Sequence, residues 1–413
     1  MFFWYQLIVA FAGFVVKVLA VFSPKMKLFY EGRKVVFSTL RDKIHAGDKT
    51  IWFHAASLGE YEQGLPVMEQ IKQMYPNHKI VLTFFSPSGY EIRKNNTVAD
   101  VTVYLPLDSR SNAIRFIEIV QPELVFFIKY EYWPNYLKVL QEKSIRTFLI
   151  SGIFRKDQAF FKWYGGFYKN ALQGFEHFFV QNSGSKDLLL SLGKTNVTVS
   201  GDTRFDRVAT ILQKDNHLDF ISEFKNDALT IVVGSSWPKD ESLLVNFINT
   251  SNLPVKLIIA PHNIKEEQIG NLRKSITKKT VLYSEKENKT LADFEVFIID
   301  TIGILTKIYS EADIAYVGGG FGNPGVHNIL EPATFGVPIL IGPNYSHFAE
   351  ATALVNMGGC VSISDASELQ TTLEKLILDV TIRAEKGHIC STFVQMNTGA
   401  TASILNYIQQ NKN

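Results

Sequence analysis

At 413 residues the chain is longer than one hydrophobic core usually serves, so two domains of roughly 200 residues are expected. Hydrophobic residues at 46% against 20% charged exclude an intrinsically disordered chain, and a net charge of +2 excludes the whole-molecule field that drives nonspecific nucleic-acid binding, so no nucleic-acid partner is expected. Two cysteines, Cys360 and Cys390, exclude a disulfide framework and read as buried thiols in a reducing compartment, while the 13% aromatic share suits a protein that meets sugars or lipid.

Residues 1–22, MFFWYQLIVAFAGFVVKVLAVF, form an apolar run broken by Gln6, Gly13 and Lys17. Its length is what a helix needs to cross a hydrocarbon layer of about 30 Å, with Lys17 making that marginal. Positive charge follows the run, as Lys25, Lys27, Arg33 and Lys34, rather than preceding it, so the segment reads as retained, with the following chain on the cytoplasmic side. Three placements stay open: a span, a helix lying flat in the cytoplasmic leaflet, and a buried core helix.

From residue 50 onward, short β-branched and aromatic runs alternate with longer amphipathic stretches, the rhythm of parallel βαβ units. Strands are predicted over 51–55, 79–84, 101–104, 124–128, 146–150, 177–180 and 197–199. After a polar stretch the rhythm restarts at 229–233, 255–259, 280–283, 296–299, 314–317, 338–341 and 360–363. This pattern predicts two doubly wound, Rossmann-like α/β domains facing a cleft. The expected divisions are a membrane-associating segment 1–24, an N-terminal domain 25–207, a linker 208–228, a C-terminal domain 229–390 and a C-terminal helix 391–413. In such sheets ligands bind beyond the carboxyl ends of the strands, which directs attention to the strand-to-helix loops.

The first of these loops is HAASLGE, 54–60, with small residues at the strand exit and Glu60 opening a helix. Glu60 is placed either to take a proton from an acceptor hydroxyl, if a cleft of low polarity raises its pKa, or merely to complement the helix dipole. The segment KYEYWPN puts Lys129, Glu131, Trp133 and Asn135 directly after a continuous apolar run, where either a Lys129–Glu131 salt bridge or a substrate must satisfy the charge. Further on, SGDTRFD carries Arg204, a cation able to stabilise a carboxylate or phosphate, and Asp206, which either caps or pairs locally.

In the second half GSSWPKDE, APHN and DTIG each end a strand, and each alone is a weak signal. The strongest is GGGFGNPGVHNILEP, in which Gly318, Gly319 and Gly320 lead through His327 and Asn328 to a helix bearing Glu331. Glycines there permit close approach of a phosphate to backbone at a helix start, and Glu331 could accept hydrogen bonds from ribose. Tight turns alone would also explain the glycines.

Taken in order, HAASLGE, SPSG, KYEYWPN, QNSGSKDLLLSLG, SGDTRFD, DTIG and GGGFGNPGVHNILEP resemble the landmarks of the bacterial 3-deoxy-D-manno-octulosonic acid (Kdo) transferase family, over almost the whole chain. The resemblance implies a GT-B type glycosyltransferase fold with an N-terminal apolar membrane-associating helix. It implies an inverting enzyme that moves Kdo from CMP-Kdo to the lipid A precursor, at the cytoplasmic face of the inner membrane. On it, Glu60 is the proton acceptor, and Glu131 and Arg204 stabilise the transition state. CMP contacts fall on Pro261, His262, Ile302, Gly303, Ile304, Asn328, Ile329, Leu330 and Glu331. No cofactor and no metal is expected, the donor itself supplying the leaving group.

Three positions depart from the family pattern. Arg204 stands where a lysine is usual, the arginine usually found between Pro261 and His262 is missing, and Ile302-Gly303-Ile304 lacks a carboxylate that relatives often carry. The alternatives to transfer are a nucleotide-sugar epimerase of the same fold and a noncatalytic membrane scaffold. A nicotinamide-dependent oxidoreductase is disfavoured because HAASLGEYEQG does not supply the GxGxxG spacing.

Overall fold

The continuous apolar runs of this chain form two seven-stranded parallel sheets in the computed structural model. It describes residues 2–323 and 325–411; Met1, Pro324, Lys412, Asn413 and the side chain of Phe2 lie outside the described residues, and with them the extremes of segments 1–24 and 391–413 and one position of the glycine loop. The chain divides into two compact units, one of residues 1–207 with 398–413 and one of 208–397.

The first unit contains β1 (Lys49–Ala55), β2 (His78–Phe84), β3 (Val101–Tyr104), β4 (Pro122–Ile128), β5 (Arg146–Gly152), β6 (His177–Val180) and β7 (Val197–Val199), in the order β3-β2-β1-β4-β5-β6-β7. Side chains alternate across the sheet, and helices cover both faces, which is why the strands read as nearly unbroken apolar runs. Trp52, Phe127 and Leu149 enter one core, while Phe53, Phe126 and Phe148 stack in the other. Strand order reverses direction between β1 and β4, and the crevice at that point lies beside the loops carrying Glu60 and Glu131.

The last helix, Ala400–Gln410, belongs to this first unit. Asp206 explains how it is tied in: its carboxylate accepts from the backbone amides of Gly399 and Thr401, each at 2.6 Å, satisfying amides at the helix start. Ile404 and Ile408 then bury in the core shared with the helix Leu58–Met74, and Tyr407 packs on His177 with ring centroids 4.1 Å apart. The division expected at 390 falls inside the helix Val380–Met396, and the stretch read as a linker, 208–228, carries the helix Asp219–Lys225 within the second unit.

At the other end of the chain, the helix Phe2–Leu19 turns Tyr5 and Gln6 inward. Tyr5 donates to Asp108 at 2.6 Å and Gln6 to Asn135 at 2.6 Å, whereas Phe3, Trp4, Ile8, Phe11 and Phe14 face outward, Phe11 67% exposed. Among the described residues no helix is long and apolar enough to cross a membrane.

The second unit contains β8 (Leu229–Ser236), β9 (Val255–Pro261), β10 (Thr280–Leu282), β11 (Val296–Ile298), β12 (Ile314–Val317), β13 (Ile339–Ile341) and β14 (Cys360–Ser362), ordered β10-β11-β9-β8-β12-β13-β14. Its switch in direction falls between β8 and β12, so GSSWPKDE and the glycine loop flank one crevice. Cys360 and Cys390 are free and buried, and burial pushes the Cys390 thiol up to about 12.

Candidate functional site

In the first unit the site is built on the carboxyl ends of β1 and β4. The segment after β4 leaves the sheet through Lys129, a non-glycine residue held at φ +69°, a strained conformation that redirects Tyr130 to Trp133 across the strand ends. Glu131 turns inward as a result and is only 8% exposed. One oxygen of its carboxylate, Oε2, lies 3.0 Å from His54 Nε2 and accepts from the Trp133 indole at 2.7 Å.

His54 is fully buried, and its Nδ1 lies 2.8 Å from Thr83 Oγ1, which itself accepts from the Trp52 indole at 2.8 Å. The Thr83 hydroxyl bridges the Trp52 indole and His54 Nδ1, and the other ring nitrogen, Nε2, faces the Glu131 carboxylate. A buried row of four side chains, Trp52, Thr83, His54 and Glu131, thus locks one carboxylate under the rim.

Glu60 sits above it, half-buried, in the first turn of the helix Leu58–Met74. Ser57 and Glu60 have the spacing of a capping box, but Ser57 makes no side-chain cap to the helix; its hydroxyl donates to the Glu60 carboxylate instead. Helix capping therefore does not account for where this side chain points.

Tyr130 marks what surrounds Glu60. Burial raises the Tyr130 phenol, the nearby Glu60 carboxylate raises it further, and Arg155 and Arg204 oppose both. Arg155 donates to the phenol oxygen at 2.9 Å, and the Lys129 ammonium lies 5.1 Å from the ring centre. Arg204 is held by Asp202, whose Oδ2 accepts from both Nε and Nη2 at 2.8 Å while Oδ1 takes the Arg204 backbone amide at 2.9 Å. Glu60 and Arg204, far apart in sequence, thus share one rim, with Glu131 one residue from Tyr130 but facing the interior.

In the second unit Asp240 is completely buried and joins the two loops at the switch point. Its carboxylate accepts from the amides of Trp237 and Gly319, each at 2.9 Å, and from the Tyr316 hydroxyl at 2.8 Å. Above it three rings lie nearly parallel: Trp237 and His262 at 4.8 Å and 16°, His262 and His327 at 4.5 Å and 28°. The Trp237 indole donates to His327 Nε2 at 2.9 Å, so the neutral ring carries its proton on Nδ1. Burial, then the neighbouring His262, lower the His327 pKa.

The glycine loop differs from the open cradle read in the sequence. A Cβ on Gly318 would meet the Ser235 carbonyl at 2.4 Å, and one on Gly320 would meet the Gly342 backbone at 2.7 Å, so these glycines permit close packing of backbone on backbone. The amides of Gly318, Gly319, Gly322, Gly325, Val326 and His327 are all engaged within the unit. Ile329 and Leu330 point into the core, leaving only their backbones to a ligand. Glu331 accepts from Thr306 at 2.7 Å and Asn328 at 3.0 Å, which ties the helix Leu305–Ile308 that follows DTIG to the NILEP turn. Ile302 is 84% exposed and Gly303 adopts φ +91°, while His262 is exposed at the end of β9 beside half-buried Pro261.

The sequence assigned no role to His54, Tyr130, Arg155, Trp237, Asp240, His327 or Asp202. A signal existed for the first and the fifth, since an ionisable residue inside an apolar strand or one turn into a buried helix needs a partner.

The family described as 3-Deoxy-D-manno-octulosonic-acid transferase (kdotransferase) matches residues 28–207. The 3-deoxy-D-manno-octulosonic acid transferase of Chlamydophila psittaci is 28% identical over 339 residues, covering 78% of this chain and 77% of that protein. The enzyme of the same name from Aquifex aeolicus is 27% identical over 340 residues, covering 79% and 86%. Among solved structures, UDP-GlcNAc 2-epimerase from Neisseria meningitidis shares a TM-score of 0.60 at 14% identity, over 88% of this chain and 100% of that one. MurG from Acinetobacter baumannii gives 0.54 at 14% identity, over 88% and 99%. At such identities these two share the fold alone.

Proposed function

The chain belongs to the 3-deoxy-D-manno-octulosonic acid (Kdo) transferase family, a family of glycosyltransferases, and on that premise we propose that it moves Kdo from CMP-Kdo to a hydroxyl of the lipid A precursor in lipopolysaccharide synthesis. Glu60 carries this reading. It is a half-buried carboxylate at the strand-order switch, turned away from helix capping, on a rim that also holds Arg155 and Arg204.

As the acceptor oxygen attacks the anomeric carbon, its proton passes to Glu60, the bond from that carbon to the CMP oxygen breaks, and the electron pair leaves with CMP. The configuration inverts because attack and departure occur on opposite faces. Arg204, fixed by Asp202, supplies a cation for charge that develops on the donor, and its planar guanidinium presents a geometry that lysine could not. Glu131 acts from below the rim as a fixed negative charge, held by His54 and Trp133.

CMP is assigned to the second unit. His262, with Pro261 beside it, offers an exposed face of the ring stack, and the side chains of Asn328 and Glu331 suit ribose hydroxyls. Ile302, Gly303 and Ile304, with Ile329 and Leu330, contribute backbone. The phosphate is assigned away from the engaged amides of the glycine loop.

The outward apolar face of the helix Phe2–Leu19, with Tyr5 and Gln6 bonded inward, supports attachment flat on the cytoplasmic leaflet of the inner membrane, where the lipid acceptor resides.

Purified protein mixed with CMP-Kdo and the tetra-acylated lipid A precursor should yield a product heavier by whole Kdo residues in a mass spectrum. Glu60→Gln should abolish that product, with CMP affinity nearly unchanged. Near-normal turnover in the variant would refute the base assignment, and transfer to no lipid acceptor would refute the reaction.

A further inference from the structure

We propose that the loop 155–169 is a second lipid-contact element of the first unit, its Trp163 and Tyr164 entering the interfacial layer of an anionic bilayer beside the N-terminal helix. The inference rests on the reading above that the chain works at a membrane surface, and it names a surface that neither the reaction nor the N-terminal segment requires.

Trp163 is 96% exposed and Tyr164 50%, in a protein whose other described tryptophans, apart from Trp4 on the N-terminal helix, are buried or half-buried. The two rings meet edge to face at 5.6 Å and 87°. They stand on a packed base, for Phe160 is buried and contacts Tyr132 at 4.8 Å and Phe154 at 6.0 Å. The turn that projects them is closed tightly: a Cβ on Gly165 would fall 1.7 Å from the Ala159 carbonyl oxygen. A fixed turn holding an indole in water loses apolar burial unless a partner covers it.

The chemistry of the surroundings selects that partner. Arg155, Lys156, Lys162 and Lys169 are all exposed within the loop, against one carboxylate, Asp157. Tryptophan and tyrosine flanked by lysine suit the headgroup layer, where the ring is half solvated and the ammonium meets lipid phosphate. The loop also lies against the N-terminal helix, because Phe167 packs on Tyr5 with centroids 5.1 Å apart. At its other end Arg155 holds Tyr130, which lies beside Glu60. Seating this loop in the headgroup layer would set the depth at which a lipid-linked hydroxyl meets the base.

The test uses the full chain and vesicles of phosphatidylcholine with or without phosphatidylglycerol. A double variant, Trp163→Ala with Tyr164→Ala, should partition roughly tenfold less onto the anionic vesicles at unchanged thermal stability. Bromine-labelled lipid should quench tryptophan emission less in Trp163→Phe than in the parent. Lys162→Glu with Lys169→Glu should reduce binding only where phosphatidylglycerol is present. Phe11→Ser with Phe14→Ser provides the control on the N-terminal helix. If that control releases the protein while both Trp163 variants behave as the parent, the loop proposal is overturned and attachment through the helix stands. If the parent itself does not bind vesicles, the surface reading falls, and the loop proposal with it. Loss of self-association in the double variant at unchanged partition would assign the patch to a second copy of the chain and overturn the proposal.

Discussion

His54 on β1 and Glu131 just beyond β4 meet beneath the rim of the first unit, Nε2 to Oε2 at 3.0 Å, with the imidazole fully buried. Because the strands are neighbours in the sheet, the pair fixes the loop that follows β4 to the strand that precedes Glu60. Removing the imidazole leaves a carboxylate in the interior with one donor fewer, whereas changing the carboxylate to an amide keeps an acceptor for both donors. His54→Ala is therefore expected to lose about 2–4 kcal/mol of stability and Glu131→Gln about 1 kcal/mol or less. Denaturant unfolding measures both, and equal losses would contradict the pairing. Activity should rank differently, with Glu131→Gln slowed on the order of a hundredfold because the fixed charge is gone.

Asp202 orients Arg204 through two donors to one oxygen. Arg204→Ala is expected to lower kcat by about 10²–10³. Asp202→Asn should approach that loss although the cation remains, because the guanidinium is no longer held in place. Single-turnover rates at saturating CMP-Kdo test this, and an Asp202→Asn enzyme as fast as the parent would show that orientation is set elsewhere.

Asp240 satisfies the Trp237 and Gly319 amides and the Tyr316 hydroxyl from a fully buried position. Asp240→Ala orphans three donors and should cost about 3 kcal/mol or more. The loops it joins carry Trp237 and the approach to His327, so CMP affinity measured by calorimetry should fall as well.

His177 supplies a pH dependence with a defined sign. Burial holds its imidazole at about 4 in the folded chain, below its ordinary value of 6.5, with Glu176 only partly opposing. The unfolded chain therefore binds a proton that the folded chain does not between these values, so the contribution is fully present above about pH 6.5 and is lost as pH falls toward 4. It amounts to about 3 kcal/mol over that window. His177→Gln should be less stable at pH 7, having lost the ring contact with Tyr407, and should show a flatter decline toward acid. A melting series from neutral to acid pH for both proteins separates the His177 contribution from that of His327, whose depressed pKa gives a slope of the same sign.

The strands were legible from residue type because each is buried on both faces, and runs such as Leu229–Ser236 and Pro122–Ile128 need β-branched and aromatic side chains along their whole length. The rim positions of Glu60 and Arg204 were legible because each opens a helix that follows a strand, and the strand-to-helix connections of such a sheet lie at its carboxyl edge. The return of Ala400–Gln410 to the first unit was not, since it depends on the Asp206 carboxylate meeting the amides of Gly399 and Thr401, a contact across nearly two hundred residues that no local pattern encodes. For the glycine loop the sequence left two readings open, a phosphate cradle and a tight connection, for a similar reason. Gly318 and Gly320 are glycine because backbone packs against them, and a free phosphate cradle would give the same letters.

The sequence by itself determined where the chain is strand and helix, that two parallel sheets form, and which ionisable groups stand at strand ends, because burial and periodicity act on neighbours along the chain. Tertiary structure alone decided which of those groups point outward. Glu131 turns in because neighbouring strands bring it within 3.0 Å of His54, a partner no local pattern supplies, while Glu60, bonded to nearby Ser57, stays on the rim.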